Sequence, residues 1–263
     1  MKKLLVMALA LCMMLNLSAC GLLLLAGAGT ESNNENTATK PATESTTESA
    51  TKPTTKTEAP SDPYKITFSS VNTYHSFGVW AQAIVEIENT SSYDLFLKGG
   101  TCDLEDSEGN LVASKDISAY PQIIAPGEKG YYFDEYLIES LTEPIELKII
   151  PRPQIVKSTT AHITYSVADI NITDCPHNRI VVLGRVENTS GSKGSMVYVA
   201  ITLFNEASEP IGLAYTVLTD NLTPGQKVGF ETARLSLPDG ITSDSIASYT
   251  AVAYPYQLQI DLY

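Results

Sequence analysis

The chain has 263 residues and a formal net charge of −13 at pH 7, a length that suits one or two domains. Removal of the lysines at positions 2 and 3 with a leader would change the charge to −15. A negative field of this size repels nucleic acid and anionic polymers. We therefore expect no nucleic-acid partner.

The first residues predict an exported protein. Lys2 and Lys3 precede an apolar run over residues 4–15, the pattern of a secretory signal peptide. Residues 17–20 then read Leu-Ser-Ala-Cys and resemble the lipobox of bacterial lipoproteins. The resemblance implies that residues 1–19 are a lipoprotein signal peptide and that Cys20 receives a diacylglycerol. Acyl chains such as palmitate would then anchor the protein in the lipid bilayer, on the extracytoplasmic face of the bacterial cell membrane.

An N-terminal transmembrane anchor is the alternative. Between residues 4 and 29 only Asn16, Ser18 and Cys20 interrupt the apolar character, and a transmembrane helix needs about 20 apolar residues. Both interpretations place the rest of the chain outside the cytoplasm.

Residues 20–62 are expected to form the lipidated N-terminus and a disordered linker. The stretch 30–62 is rich in Ser, Thr, Pro and Glu and contains no aromatic residue, Leu, Ile or Val. Such a segment has too little apolar surface to offset its ordering entropy. As a flexible coil it would span about 30 Å.

From residue 63 onward the pattern has period two. Residues 79–87 and 197–203 carry Val, Ala, Ile or Leu at every second position, which is typical of antiparallel strands with one buried face. The polar clusters at 106–110 and 205–210 predict hairpin turns. These patterns predict an all-β fold.

The sequence also repeats. Glu-Asn-Thr-Ser occurs at residues 88–91 and again at 187–190, a spacing of 99 residues. With about seven short strands per unit, we expect two tandem immunoglobulin-like β-sandwich domains, residues 63–154 and 155–263. An extended joint at Pro151–Pro153 is expected between them.

Residues 201–205, Ile-Thr-Leu-Phe-Asn, are similar to the Phe-x-Leu-Tyr-Asp motif of the FxLYD domain family, with Leu203 as the identical residue. Residues 184–190, 210–212 and 222–225 also resemble that family. The first unit is more diverged, because residues 102–106 keep only the Leu and the Asp. The resemblance implies β-sandwich modules of secreted or lipid-anchored bacterial proteins, and it brings no catalytic site.

The side chains available for catalysis are few. The three histidines, His75, His162 and His177, lie outside any recognisable hydrolase or phosphate-binding motif. Residues 174–177, Asp-Cys-Pro-His, offer two close metal ligands where a structural zinc site uses four. The acidic run 103–108 lacks the ligand spacing of a calcium loop. We expect no enzyme activity, no cofactor and no built metal site, and loose calcium binding stays open.

Two of the four cysteines, Cys102 and Cys175, lie in the β region. They are open to two interpretations, a disulfide in an oxidising compartment or two independent thiols. Asn-x-Ser/Thr triplets begin at residues 89, 171, 188 and 221. In a bacterial lipoprotein these triplets predict turns rather than glycan acceptors.

Aromatic residues are the leading candidates for a binding surface. Strand parity places several of them on outward positions: Trp80, Tyr131, Tyr132, Tyr198 and Phe204, with Tyr215, Tyr254 and Tyr256 as further candidates. Exposed aromatic side chains suit stacking on a polymer or contact with a protein. The alternative is that Trp80 packs against a loop or the other unit.

The sequence as a whole favours a membrane-anchored, non-catalytic binding or adapter module for an envelope protein or polymer. Two alternatives stay open. One is a structural spacer in an envelope assembly, and the other is a hydrolase whose site is not recognisable in the sequence.

The lipobox hypothesis predicts that cells incorporate labelled palmitate into the wild-type chain and not into Cys20→Ala, because the acylated thiol is absent. Metabolic labelling followed by immunoprecipitation measures this. Cys12→Ala is the matched control and should be labelled like the wild type. Undiminished labelling of Cys20→Ala would contradict the lipobox hypothesis, and a wild-type chain without label would favour the transmembrane anchor.

Overall fold

The computed structural model describes residues 62–256. The lipobox, the anchor segment and nearly all of the linker lie outside the described residues. Within residues 62–256, no helix is long and apolar enough to cross a membrane. This part of the chain consists mainly of β-strands, with a short 3₁₀ helix at Ser243–Ser245. The predicted all-β fold is confirmed.

The strands are numbered in chain order. They are β1 (Tyr64–His75), β2 (Val79–Asn89), β3 (Leu95–Glu105), β4 (Leu111–Tyr120), β5 (Ile123–Ile124), β6 (Lys129–Leu137), β7 (Lys148–Lys157), β8 (Ser166–Cys175), β9 (Arg179–Glu187), β10 (Val197–Phe204), β11 (Pro210–Leu218), β12 (Lys227–Glu231), β13 (Leu235–Ser236) and β14 (Ser248–Pro255). Residues 62–157 are called the first half below, and residues 158–256 the second half.

The same antiparallel pairing occurs in both halves. In the first half, β2 lies between β1 and β6, and β3 lies between β4 and β7. In the second half, β9 lies between β8 and β12, and β10 lies between β11 and β14. The first half differs because β4 also pairs with β6, which joins its strands into one seven-stranded sheet.

The expected joint at Pro151–Pro153 lies inside a strand, so that prediction is wrong. Pro151 and Pro153 belong to β7 and are register partners of Cys102 and Gly100 on β3. β7 pairs only with β3 among the described strands, and an edge strand tolerates proline because an outward position needs no ladder N–H.

The inward faces predicted for β2 and β10 are buried, but the expectation of one buried face per strand is wrong, because most residues of the opposite faces are buried as well. Ala81, Ala83, Val85 and Ile87 are buried in a core formed by first-half residues. The apolar positions of β10, residues 197, 199, 201 and 203, are fully buried in a second core. Each fully buried Val, Leu or Ile contributes about 1.5–3 kcal/mol to the hydrophobic stabilisation.

The opposite face of β2 is buried as well. Ile84 is 1% exposed and belongs to the second core, together with first-half residues Tyr120, Tyr131 and Phe133. Gln82 and Glu86 on the same face are also buried. The second half therefore covers the side of β2 that the alternation assigned to solvent.

The Asn-Thr-Ser repeat forms the same hydrogen-bonded turn in both halves. Asn188 Nδ2 donates to the carbonyl oxygens of Ser192 (2.9 Å) and Leu222 (2.8 Å), and Asn188 Oδ1 accepts from the Ser190 amide and hydroxyl (2.9 and 2.7 Å). Asn89 makes the corresponding four bonds. Both asparagines are buried, so their role is to close the turn, as the sequence predicts.

The two predicted hairpin turns are present. Asp106 Oδ1 accepts from the amides of Glu108 and Asn110, both at 2.9 Å, between β3 and β4. Asn205 Oδ1 accepts from the Glu209 amide at 2.9 Å, between β10 and β11. In both places a short polar side chain satisfies backbone donors in the turn.

We expect Asn188→Ala to lower the free energy of unfolding by about 2–4 kcal/mol, because it removes the four hydrogen bonds of a buried side chain. Urea denaturation measures the change. Asn221→Ala is the matched control: Asn221 begins another of the triplets but is exposed, and its change should stay within about 0.5 kcal/mol. Equal losses in the two variants would contradict a structural role for the buried asparagine.

Candidate functional site

Four of the predicted surface aromatics, Tyr131, Tyr132, Phe204 and Tyr254, are buried, so their expected exposure was wrong. Tyr132 is fully buried in the first-half core. Tyr131 and Phe204 meet edge to face where the two halves join, with ring centroids 6.3 Å apart. The second half covers the face of β6 that carries Tyr131, and strand parity cannot anticipate that contact.

Trp80 is half-buried and hydrogen-bonded to the β1–β2 loop. Its Nε1 donates to the Ser76 carbonyl at 2.9 Å, in agreement with the alternative that Trp80 packs against a loop. The neighbouring Phe77 is the fully exposed aromatic at this hairpin tip, and its φ is 53°. A bulky residue in the left-handed region is a conformational outlier. Sequence reasoning missed Phe77, because a single Phe in a loop carries no periodic signal.

Two polar contacts join the halves near that hairpin. Gln82 Nε2 donates to the carbonyl oxygen of Ser236 (3.0 Å) and to Glu135 Oε1 (3.2 Å). The Arg179 guanidinium donates to Ser76 Oγ at 3.2 Å. Burial raises the pKa of Glu135, although its hydrogen bonds from Gln82 and Tyr74 oppose the shift.

A buried carboxylate lies further along β2. Glu86 accepts from Lys129 Nζ (2.6 Å), Thr67 Oγ1 (2.6 Å) and Tyr131 Oη (3.1 Å). Desolvation raises the pKa of Glu86, but these three donors outweigh it and hold the pKa below its ordinary value. Glu86 is therefore a paired anion that orders the Tyr131 ring beneath Phe204.

Five tyrosines from both halves cluster at the junction. Tyr198 and Tyr254 are register partners on β10 and β14, and their rings stack with centroids 5.6 Å apart and 14° between planes. Tyr256 lies 5.7 Å from the Tyr198 ring. Tyr120, the last residue of β4, contacts Tyr215 of β11 at 4.9 Å. Sequence reasoning had no signal for Tyr120, whose neighbours here come from the second half.

These rings border a groove of about 230 Å³ between the halves, called the tyrosine groove below. The second half contributes Tyr198 and Tyr254. The first half contributes parts of β3 and β4 and the residues after β4: Leu97, Lys98, Gly99, Ile117, Ser118, Ala119, Tyr120 and Gln122. Tyr215 and Tyr256 flank the lining rings and are 36% and 39% exposed.

Tyr254 lines this groove, and its hydroxyl is a buried, unpaired polar group. Tyr254 is 5% exposed, and its hydroxyl has no hydrogen-bond partner within residues 62–256. Burial, followed by the nearby Tyr120 and Tyr198, raises the pKa of Tyr254 well above its ordinary value. The group therefore remains a neutral phenol that can donate one hydrogen bond and accept another.

A second cleft, of about 340 Å³, lies between Tyr131, His162 and the threonines 202 and 250. His162 Nε2 lies 3.3 Å from Glu128 Oε2, which also accepts from the Ala125 amide. Glu128 is therefore already engaged in closing the Pro-Gly turn that follows β5.

The motifs considered for metal binding occupy hairpin tips. Asp174 and Cys175 end β8, and Pro176 and His177 lie in the β8–β9 turn, with His177 in the left-handed region at φ 68°. In the acidic run, Asp103 pairs with Arg152 at 2.8 Å. No group of three or more His, Cys, Asp or Glu residues placed to hold a metal ion is found between residues 62 and 256.

Cys102 and Cys175 are free thiols, which decides between the two interpretations of these cysteines. Cys102 is fully buried in the first-half core, and burial raises the pKa of its thiol to about 11. A thiol in this environment stays protonated and unreactive at neutral pH.

No protein-family model matches the chain, and no curated protein matches it in sequence.

Proposed function

We propose that this chain is a bacterial lipoprotein anchored through Cys20, in which residues 20–62 act as a tether and the folded part is a non-catalytic binding module. The two halves are proposed to be tandem immunoglobulin-like sandwiches of the FxLYD type. The partner is an envelope protein or polymer.

Two structural features occur in both halves and support a tandem origin. Strand pairing in the second half follows that of the first, and Asn89 and Asn188 make the same four hydrogen bonds in equivalent turns. Two unrelated sheets would have no reason to share both features.

The observation that carries the binding function is the tyrosine groove. Its two lining rings from the second half stack, and the buried Tyr254 hydroxyl has no partner in the described chain. Unpaired buried polar groups are rare in native proteins. The partly exposed rings of Tyr198, Tyr215 and Tyr256 offer aromatic surface to a ligand.

The alternatives differ in what they require. A structural spacer needs the junction but has no use for the unpaired hydroxyl. A hydrolase would use the cleft beside His162 and Glu128, where the carboxylate is already engaged in a turn.

The test is a pull-down from envelope extract with the full chain, purified in detergent and immobilised by a C-terminal tag, with calcium or a chelator in parallel. We expect a partner that is retained by the wild type and lost from Tyr198→Ala, because the stacking platform is removed. A peptide of residues 30–62 controls for the tether. Tyr249→Ala is the matched variant, since Tyr249 is 46% exposed on the same strand as Tyr254 but outside the groove.

Equal retention of the partner by the wild type and by Tyr198→Ala would mean that the binding surface lies outside the groove. A folded wild-type chain that retains nothing in either calcium or chelator would favour the structural spacer.

A further inference from the structure

We infer that the outer edge of β14, residues 248–252, pairs with the same edge of a second copy of this chain. This stretch is called the β14 edge below. The inference goes beyond the proposed binding function and does not depend on the tyrosine groove.

The β14 edge carries main-chain groups without partners. β14 pairs with β10 on one side, and on its other side the Tyr165 amide donates to the Ala253 carbonyl oxygen at 2.7 Å. Successive residues of an antiparallel strand direct their N–H and C=O groups to opposite sides, so Tyr249 and Ala251 direct theirs to the same outer side as Ala253. No hydrogen bond to these outward groups is present among residues 62–256.

The β14 edge also lacks the features that normally prevent an edge strand from pairing with another chain. Charged residues, prolines, bulges and very short strands are such features. Charged residues occur in the edge strands β1, β7, β8 and β12, β5 and β13 are two residues long, and β11 begins with Pro210 and has a register irregularity. Residues 248–252 read Ser-Tyr-Thr-Ala-Val, and the first three are exposed. An uncharged, exposed edge of this kind accepts an additional strand through its main chain.

Open space borders both faces of the strand at this edge. Tyr249 lines a cleft of about 630 Å³ together with Ile172 and Ile246, and Thr250 lines the cleft of about 340 Å³ described above. Side chains of an added strand alternate between its two faces, so they would lie over the two clefts in turn.

Charge favours a second copy of this chain as the occupant. Each chain carries a net charge of −13, so two copies repel each other over most of their surfaces. Like charges directly opposite each other destabilise a strand pair. A contact through the uncharged β14 edge avoids that arrangement, and the charged edge strands do not.

Symmetry fixes the register of the pair. Because Tyr165 covers Ala253, the free stretch is centred on Thr250, and a two-fold axis there makes the contact self-complementary. Tyr249 of each copy then lies opposite Ala251 of the other, which gives two hydrogen-bonded pairs with two bonds each. The two Thr250 side chains face each other, and Thr–Thr is a favourable cross-strand pair. The dimer would present two copies of the binding module side by side.

The test is disulfide cross-linking of the full chain reconstituted in lipid vesicles, in a Cys175→Ser parent that lacks the partly exposed thiol. At the two-fold axis the facing Cα atoms would be about 4.5 Å apart, within the range of a disulfide. We expect Thr250→Cys to give a cross-linked dimer under mild oxidation, above the level of the parent. Thr173→Cys is the matched control, since Thr173 is an exposed threonine on the edge strand β8, and it should stay at the parent's level.

Ala251→Pro, added to the Thr250→Cys chain, separates main-chain pairing from chance collision. It removes the outward N–H of residue 251 from each copy and leaves the bonds to β10 in place, so the dimer should weaken at least about fivefold, the effect of two lost hydrogen bonds. Urea denaturation checks that the variant is folded. If it is not, Thr250→Lys replaces it, because two lysines would then face each other, and sedimentation equilibrium in density-matched detergent should show weaker self-association than in the wild type.

Equal cross-linking of Thr250→Cys and Thr173→Cys would overturn the inference. Cross-linking that a folded Ala251→Pro variant leaves unchanged would also overturn it, as would self-association that Thr250→Lys leaves unchanged. None of these measurements uses an envelope partner. A monomeric chain would therefore leave the proposed binding function standing, and a pull-down that captures nothing would leave the dimer standing.

Discussion

The structure depends on the burial of β2 on both faces. One face supplies Ala81, Ala83, Val85 and Ile87 to the first-half core, and the other inserts Ile84 among second-half residues. An apolar junction of this kind fixes the two halves relative to each other, because separating them would return Ile84 and its neighbours to water. The groove exists only while that contact is made, since its walls come from both halves.

The polar groups at the junction follow from the same constraint. Gln82 and Glu86 alternate with Ile84 and are therefore carried into a dry environment, where each needs partners. Gln82 donates a hydrogen bond to the Ser236 carbonyl oxygen across the junction. Glu86 accepts hydrogen bonds from Lys129, Thr67 and Tyr131. The Tyr254 hydroxyl has no hydrogen-bond partner within the described chain. That difference separates the packing part of the junction from the part proposed to bind a ligand.

Local features of the fold could be predicted because each depends on residues that are close together in the sequence. Period-two alternation located β2 and β10, and the two Asn-Thr-Ser turns and the hairpins at Asp106 and Asn205 follow from side chains that bond to nearby backbone.

The junction could not be predicted, because alternation shows which strand face meets its own core and says nothing of a neighbour covering the other face. Tyr131 and Phe204 were expected at the surface for this reason. The groove combines Tyr120 with tyrosines about 80 to 135 residues later in the chain, and no local pattern connects them.

The most direct test of the account is whether the halves unfold together. Trp80, the only tryptophan, reports on β2 in the first half, and Leu203 is fully buried in the second-half core. Leu203→Ala should destabilise that core by about 2–5 kcal/mol. If the halves form one cooperative unit, urea unfolding followed by Trp80 fluorescence will show a single transition shifted to lower denaturant in the variant. A Trp80 transition with the same midpoint in Leu203→Ala and the wild type would contradict the account.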